Sequence, residues 1–484
     1  MSILANCKPH DVFKYFEIIC GIPHGSWDEK SLSDYIFNWA KELGFEPIQD
    51  NLYNLIIKKP ATPGYESAPA VIIQGHLDMV CEKNADVEFD FAKDPLNIYV
   101  DGDYVKANGT TLGADNGIAV AMAMALLADL RLKHPALEIV LTTVEEAGMD
   151  GAKNIDPALL KARRLINIDS EDEGVFLSSC AGGAKVTVNL DIVRENMQSG
   201  DYLPLTIFIG GLRGGHSGMD IQKERGNSNK LLGRILDGIK TPYHIADIGG
   251  GSKDNAIPRE AFADIFVEKN NKEKLIEEIK IIEKMLKTEH EAADPDLFIE
   301  VRSSASENSQ IFSSSTKKQA VELLITIPYG VDHMSAVLPG LVETSNNLGV
   351  VKTEGNQVIY TCAVRSSKDS RKWALTRRIE AIAQALGAKA VTSSGYPGWA
   401  YSPDSELREI FKDVYKKKYG SDAQVLAIHA GVECGIFADK IPDIDMISFG
   451  PNMHDVHTPD ERVSISSTSN CYEFLVDVLA SMKQ

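Results

Sequence analysis

Four short apolar runs of strand type, at 54–58, 70–74, 138–143 and 164–168, constrain this chain more than any other feature. A strand with one wet face alternates polar and apolar residues. Nearly all-apolar runs belong instead to a largely parallel sheet covered by helices. Helical patterns accompany them. Residues 9–20 place Val12, Phe13, Phe16 and Ile19 on one face, residues 31–43 stop at Gly44, and an Ala/Met-rich run follows Asp115. The expected fold class is α/β.

Three of these runs lead directly into side chains that can hold a cation. Gly75-His76-Leu77-Asp78 follows the second, Glu145-Glu146-Ala147-Gly148 the third, and Asp169 ends the fourth. Asp115 opens the Ala/Met-rich helix, and His457 closes His454-Asp455-Val456-His457 after the turn at Pro451. The carboxyl edge of an open α/β sheet is where ligands bind. Taken singly, each residue has an ordinary reading. Asp115 could cap its helix, Asp169 could end a strand, the glutamates could sit on a surface turn, and His76 could be a buried histidine with an Asp partner. Taken together, two imidazoles and three carboxylates, with a spare acid beside the first and third, suit a pair of zinc-like ions and a hydroxide between them. In extended backbone His76 and Asp78 share a face, so Asp78 is placed to orient the imidazole. Glu145 and Glu146 would then point opposite ways, one toward metal and one toward the attacking water.

After Gly182-Gly183 the pattern changes. Alternating strands such as Lys185-Val-Thr-Val-Asn-Leu indicate an antiparallel sheet with one solvated face. The expected division is a catalytic domain split into 1–183 and 396–484, with an inserted α+β lid at 184–395. A candidate internal duplication lies inside the insert. It pairs Leu205-Thr-Ile-Phe-Ile and His216 with Leu324-Ile-Thr-Ile and His333, each followed by an Asn-containing helix at 227–232 or 343–348.

At 484 residues the chain exceeds one ordinary core. The 50 basic and 69 acidic side chains leave a net charge of −19, which argues against nucleic acid and anionic membranes as partners. Seven cysteines without a Cys-x-x-Cys pair argue against structural disulfides and thiolate zinc. No apolar signal core is seen in 1–16, and the longest apolar run, 118–127, is too short to span a bilayer. A cytoplasmic protein is expected.

The ligand-type segments resemble those of the di-zinc metallopeptidases that include aminoacylases, acetylornithine deacetylase and the bacterial dipeptidases and tripeptidases. Spacings of 39 residues from His76 to Asp115, 31 to Glu146 and 23 to Asp169, then a long gap to His457, fit that pattern. The run His429-Ala-Gly-Val-Glu-Cys-Gly-Ile-Phe, the Leu112-Gly-Ala-Asp-Asn-Gly turn and the large insert resemble the aminoacyl-histidine dipeptidases, or bacterial carnosinases. The resemblance implies that Asp115 bridges two metals. His76 and Asp169 would complete one, Glu146 and His457 the other. Glu145 becomes the general base and Asp78 the acid that clamps His76. It also implies a cis peptide between Asp115 and Asn116, and a hydroxide between zinc ions, or cobalt or manganese in their place. His216 would stabilise the oxyanion, with His333 a weaker rival. Asn255, Arg365 and Gly431 would receive the substrate's terminal carboxylate. The implied activity is hydrolysis of unblocked dipeptides with a C-terminal histidine, β-alanyl-histidine included, by a homodimer. A tripeptidase or N-acyl amino acid deacylase of the same family is the alternative. A metal-binding interaction protein without catalysis is the alternative from another class.

Overall fold

The computed structural model describes residues 2–197, 200–304 and 310–483. Two compact units are present. One comprises Met1–Ser179, Trp399–Ala427 and Val432–Gln484; the other comprises Cys180–Gly398 and Ile428–Gly431.

The first unit is built on an eight-stranded sheet ordered Ile48–Gln49, Leu55–Lys59, Leu137–Thr142, Val71–His76, Arg164–Asn167, Asp445–Ser448, Val175–Cys180, Gln424–Ile428. Its four central strands, from Leu137–Thr142 to Asp445–Ser448, are parallel. Outside them Ile48–Gln49 and Leu55–Lys59 run antiparallel, because the few residues between them cannot make a crossover. Parallel register brings His76 opposite Thr142 and Gln74 opposite Asn167, so the chain leaves these strands along one edge. The helix Ala114–Ala128 packs against Val71–His76 and the helix His10–Cys20. From Gly117 to Leu127 it is buried on every side, which explains its uniform apolarity. Gly117 eases the packing there, since a Cβ would lie a tight 3.3 Å from the Phe16 ring. His457 follows Met453–His454, which belongs to a small four-stranded antiparallel sheet with Arg462–Ser464.

The second unit is a nine-stranded sheet whose described pairings are antiparallel. Helices Ser228–Gly238, Lys272–His290, Ser314–Thr326 and Asp369–Ala385 share its core. The strand Gly182–Asp191 alternates as expected, burying Val186, Val188 and Leu190. A duplication is present, but in a different register from the expected one. Each copy runs strand, helix, strand, strand, helix, strand. The first extends from Tyr202–Gly210 to Phe298–Ser303. The second takes its first strand from Gly182–Asp191, upstream of the first copy, and resumes at Ser314–Thr326 to end with Lys389–Tyr396. They join where Tyr243–Gly250 pairs with Val342–Glu354.

The expected strand at 324–327 is the end of a helix, because Ala320, Val321, Leu323 and Leu324 bury one helical face and Ser313 caps its start. The expected helix at 343–348 is strand. Its polar run is buried, and its amides bond to neighbours: Asn347 donates to the carbonyls of Asp254 and Ala256 at 2.8 Å, and Asn346 donates to that of Pro328 at 2.6 Å. His333 is therefore not the counterpart of His216. All seven cysteines are free thiols, and no helix among the described residues is long and apolar enough to cross a membrane.

Candidate functional site

In the first unit the strand ends bring His76, Asp115, Glu146, Asp169 and His457 together. His76 ends its strand, and its Nδ1 lies 3.0 Å from the carbonyl oxygen of Asp78. A carbonyl only accepts, so Nδ1 carries a proton there and Nε2 faces outward. There it meets Asp115 Oδ1 at 3.2 Å and Asp169 Oδ1 at 3.5 Å. The other Asp115 oxygen, Oδ2, lies 3.2 Å from His457 Nε2, and Glu146 Oε1 lies 2.8 Å from the same nitrogen. Asp115 thus presents one oxygen to each imidazole.

The local backbone explains this placement. Gly113 has φ +68°, and Asp115 and Asn116 depart from helical angles before the helix runs on. The Asp115–Asn116 peptide is cis. Glu461 accepts the N–H groups of Leu112, Gly113, Ala114 and Asp115 at 2.7–3.2 Å and so holds the turn. Asn116 accepts the His76 N–H at 3.1 Å and donates to Asp169 Oδ1 at 3.0 Å, tying the segments of His76, Asp115 and Asp169 together. This close approach requires Gly75, where a Cβ would lie 2.5 Å from Asn116 Oδ1.

Glu145 and Glu146 lie in a turn rather than in extended backbone, so strand alternation does not orient them. The turn follows Val144, a β-branched residue at φ +56°, a strained conformation. Asp78 accepts the Glu145 N–H at 2.9 Å, the Glu146 N–H at 3.2 Å and the Ser26 hydroxyl at 2.8 Å. Its carboxylate is 3.5 Å from His76 Nδ1, farther than its own carbonyl oxygen. Asp78 therefore steadies the imidazole through its backbone and the glutamate turn through its side chain.

The electrostatics show crowded negative charge. Burial raises the Asp169 carboxyl to about 6, with Asp115 and Glu146 adding and His76 opposing. Burial also lifts Glu145 well above the ordinary carboxylate range, with Asp169, Glu433 and Glu146 adding. Glu171 reaches about 7 through burial, Asp115 and Asp169. His457 is held up at about 11 by Asp115 and Glu146. Burial opposes charge on His76, yet Asp115, Asp169 and Asp78 hold its pKa well above the usual imidazole value.

These residues fit divalent metal. His76, Asp115 and Glu146 each offer a ligand atom, all within 4.8 Å of one another. The carboxylates of Asp115, Asp169 and Glu146 crowd one another, and the two imidazoles are held protonated against them. A cation relieves both, and mixed imidazole and carboxylate donors suit zinc, cobalt or manganese.

The second unit contains another cluster. Arg365, on the strand Gln357–Ser366, donates to the Tyr396 hydroxyl at 3.2 Å and lies 3.5 Å from His216 Nε2. Asn255 lies next to Ala256, the cross-strand partner of His216, and its carbonyl accepts the Ser217 N–H at 2.8 Å. At Gly431 a Cβ would lie 2.4 Å from the Tyr396 ring and would displace it. His333 stands apart on an exposed strand, 2.7 Å from Asp332.

Sequence reasoning missed Glu461, Glu433, Glu171 and the structural role of Asn116. Glu433 accepts from Thr142 at 2.6 Å and from Gln74 at 2.5 Å. Nothing in its local pattern assigns it this role, whereas Gly75 beside His76 was a usable hint of close approach.

Residues 72–481 match the profile of peptidase family M20/M25/M40. The chain is 40% identical over 481 residues to the cytosol non-specific dipeptidase of Escherichia coli (strain K12), covering 99% of each. It is likewise similar to the crystal structure of aminoacylhistidine dipeptidase from Vibrio alginolyticus, with TM-score 0.92, 40% identity and coverage of 99% and 98%. Aminopeptidase PepT from Bacillus cereus shares the fold at TM-score 0.56 and 15% identity, with 99% of this chain and 100% of that one covered.

Proposed function

The chain belongs to peptidase family M20/M25/M40, and we propose that it is a two-metal dipeptidase that cleaves unblocked dipeptides and prefers a C-terminal histidine. The observation that carries this reading is Asp115, which offers one carboxylate oxygen to the side of His76 and the other to the side of His457. Asp169 and Glu146 complete the two donor sets. Two divalent cations held there, zinc in the first instance or cobalt or manganese, would supply Lewis acidity and an acidified water.

The chain's own groups do the rest. Glu145, raised well above the ordinary carboxylate range by burial, is suited to take a proton near neutral pH and return it to the departing amine. Asp78 fixes the turn that carries this base. His216 is assigned to the oxyanion. Arg365, with Asn255 and Gly431, is assigned to the terminal carboxylate, for which a guanidinium is the apt bidentate partner. The preference for histidine and a cytosolic location rest on the two relatives at 40% identity. A homodimer is part of the proposal, although His216 and Arg365 already meet within one chain.

A substrate panel tests this reading: Xaa-His and other dipeptides, a tripeptide, and an N-acetyl amino acid, each with metal and after chelation. Dipeptide hydrolysis that is lost on chelation and restored by zinc, cobalt or manganese is expected. Faster cleavage of the tripeptide or the acetylated substrate overturns the dipeptidase assignment, and hydrolysis unaffected by chelation overturns the metal.

A further inference from the structure

Arg365 forms no ion pair among the described residues, although only 8% of its surface is exposed and its Nε is buried without a hydrogen-bond partner. A buried guanidinium ordinarily has an internal acid beside it. Here the side chains within hydrogen-bond reach of its guanidinium are the Tyr396 hydroxyl and the His216 imidazole. His429 is 6% exposed, and its Nε2 lies 2.7 Å from the Ser345 hydroxyl. Ser345 stands directly across the sheet from Arg365, so both side chains share one face. His429 comes from Ile428–Gly431, the four-residue return into this unit, and its carbonyl lies against Gly218, where a Cβ would approach it to 2.6 Å.

We propose that His429, anchored by Ser345, is a positioning residue that walls Arg365 with an uncharged ring and so reserves the guanidinium for the carboxylate of the substrate's C-terminal residue. The proposal rests on the dipeptidase reading and adds to it how the carboxylate subsite keeps its charge unspent. Burial supports it by pushing the imidazole down to about 3, with Arg365 and His216 adding, so the ring stays neutral. An acid at this place would pair with Arg365 internally and compete with substrate.

The test compares wild type with His429→Glu and His429→Gln on a free dipeptide and its C-terminal amide. Calorimetry adds the binding of free histidine against histamine, which lacks the carboxylate. For His429→Glu, KM for the free dipeptide should rise roughly tenfold or more while kcat changes little, and the preference for carboxylate over amide should collapse. Histidine binding should weaken and histamine binding should not. His429→Gln, neutral and able to bond Ser345, should stay within about threefold of wild type. Should the glutamate variant not fold, Ser345→Asp places an acid directly opposite Arg365 and should give the same loss. The proposal is overturned by an acid variant that keeps its preference for histidine, or by equal losses in the Glu and Gln variants. A wild type that binds histidine over histamine but cleaves no dipeptide overturns the dipeptidase reading and leaves the subsite standing.

Discussion

Glu461 holds the backbone of Asp115, accepting its N–H through Oε1 at 3.2 Å from 346 positions further along the chain. The same carboxylate takes the three preceding N–H groups, so four consecutive backbone donors depend on one side chain. Glu461→Ala should destabilise the protein by roughly 3 kcal/mol or more, since the donors lose their acceptor together. Glu461→Gln, which keeps one acceptor oxygen, should cost less. Denaturant unfolding and metal stoichiometry check both. A fully stable alanine variant with normal metal content would show that the turn needs no such anchor.

Glu145 is the proposed base and belongs to neither metal donor set. Glu145→Gln should reduce kcat by about 10²–10⁴ while metal content stays at the wild-type level. Elemental analysis beside steady-state kinetics reads the two quantities. Unchanged turnover removes Glu145 from the mechanism.

Asp78 serves two clients, the His76 ring through its carbonyl and the Glu145–Glu146 turn through its carboxylate. In Asp78→Asn the carbonyl remains, but an amide N–H₂ replaces one accepting oxygen and faces a donor. Activity or metal affinity should fall by about 10–100-fold with the fold intact by circular dichroism.

Glu433 carries a pH prediction. Burial, against the favourable effects of His76 and Thr142, raises its carboxyl to about 7. The folded state therefore keeps a proton that the unfolded chain releases near 4.5. Stability contributed by the protonated form is complete below about pH 4.5 and is lost as pH rises through 7. Glu433→Gln removes this titration. In the metal-free protein, the stability of the variant relative to wild type should increase by up to about 3 kcal/mol between pH 5 and 8. Parallel pH profiles of unfolding for the two proteins would contradict this.

The apolar central strands and the acids or imidazoles at their ends were legible because both signals are local. A parallel strand buried on two faces must be apolar over its whole length, and a ligand segment leaves such a strand at its carboxyl end. The inserted unit was harder to read. Thr344 to Asn347 are polar, yet they lie in a buried strand where the carbonyls of Asp254, Ala256 and Pro328 and the side chains of Ser366 and His429 bond to them. Side-chain pattern reports burial by apolar neighbours. It does not report burial among hydrogen-bond partners brought from elsewhere in the chain.

By itself, then, the order of residues determined which side chains could bind metal and which strands would carry them. It also marked the change from all-apolar to alternating strands after Gly182-Gly183. Tertiary structure alone decided that Glu461 anchors the Asp115 turn, that Asp78 steadies two glutamates, and that His429 returns to bond Ser345, across the sheet from Arg365. Hydrophobic periodicity repeats every two to four residues and is written in sequence, whereas a carboxylate meets amides hundreds of positions away only through register and packing.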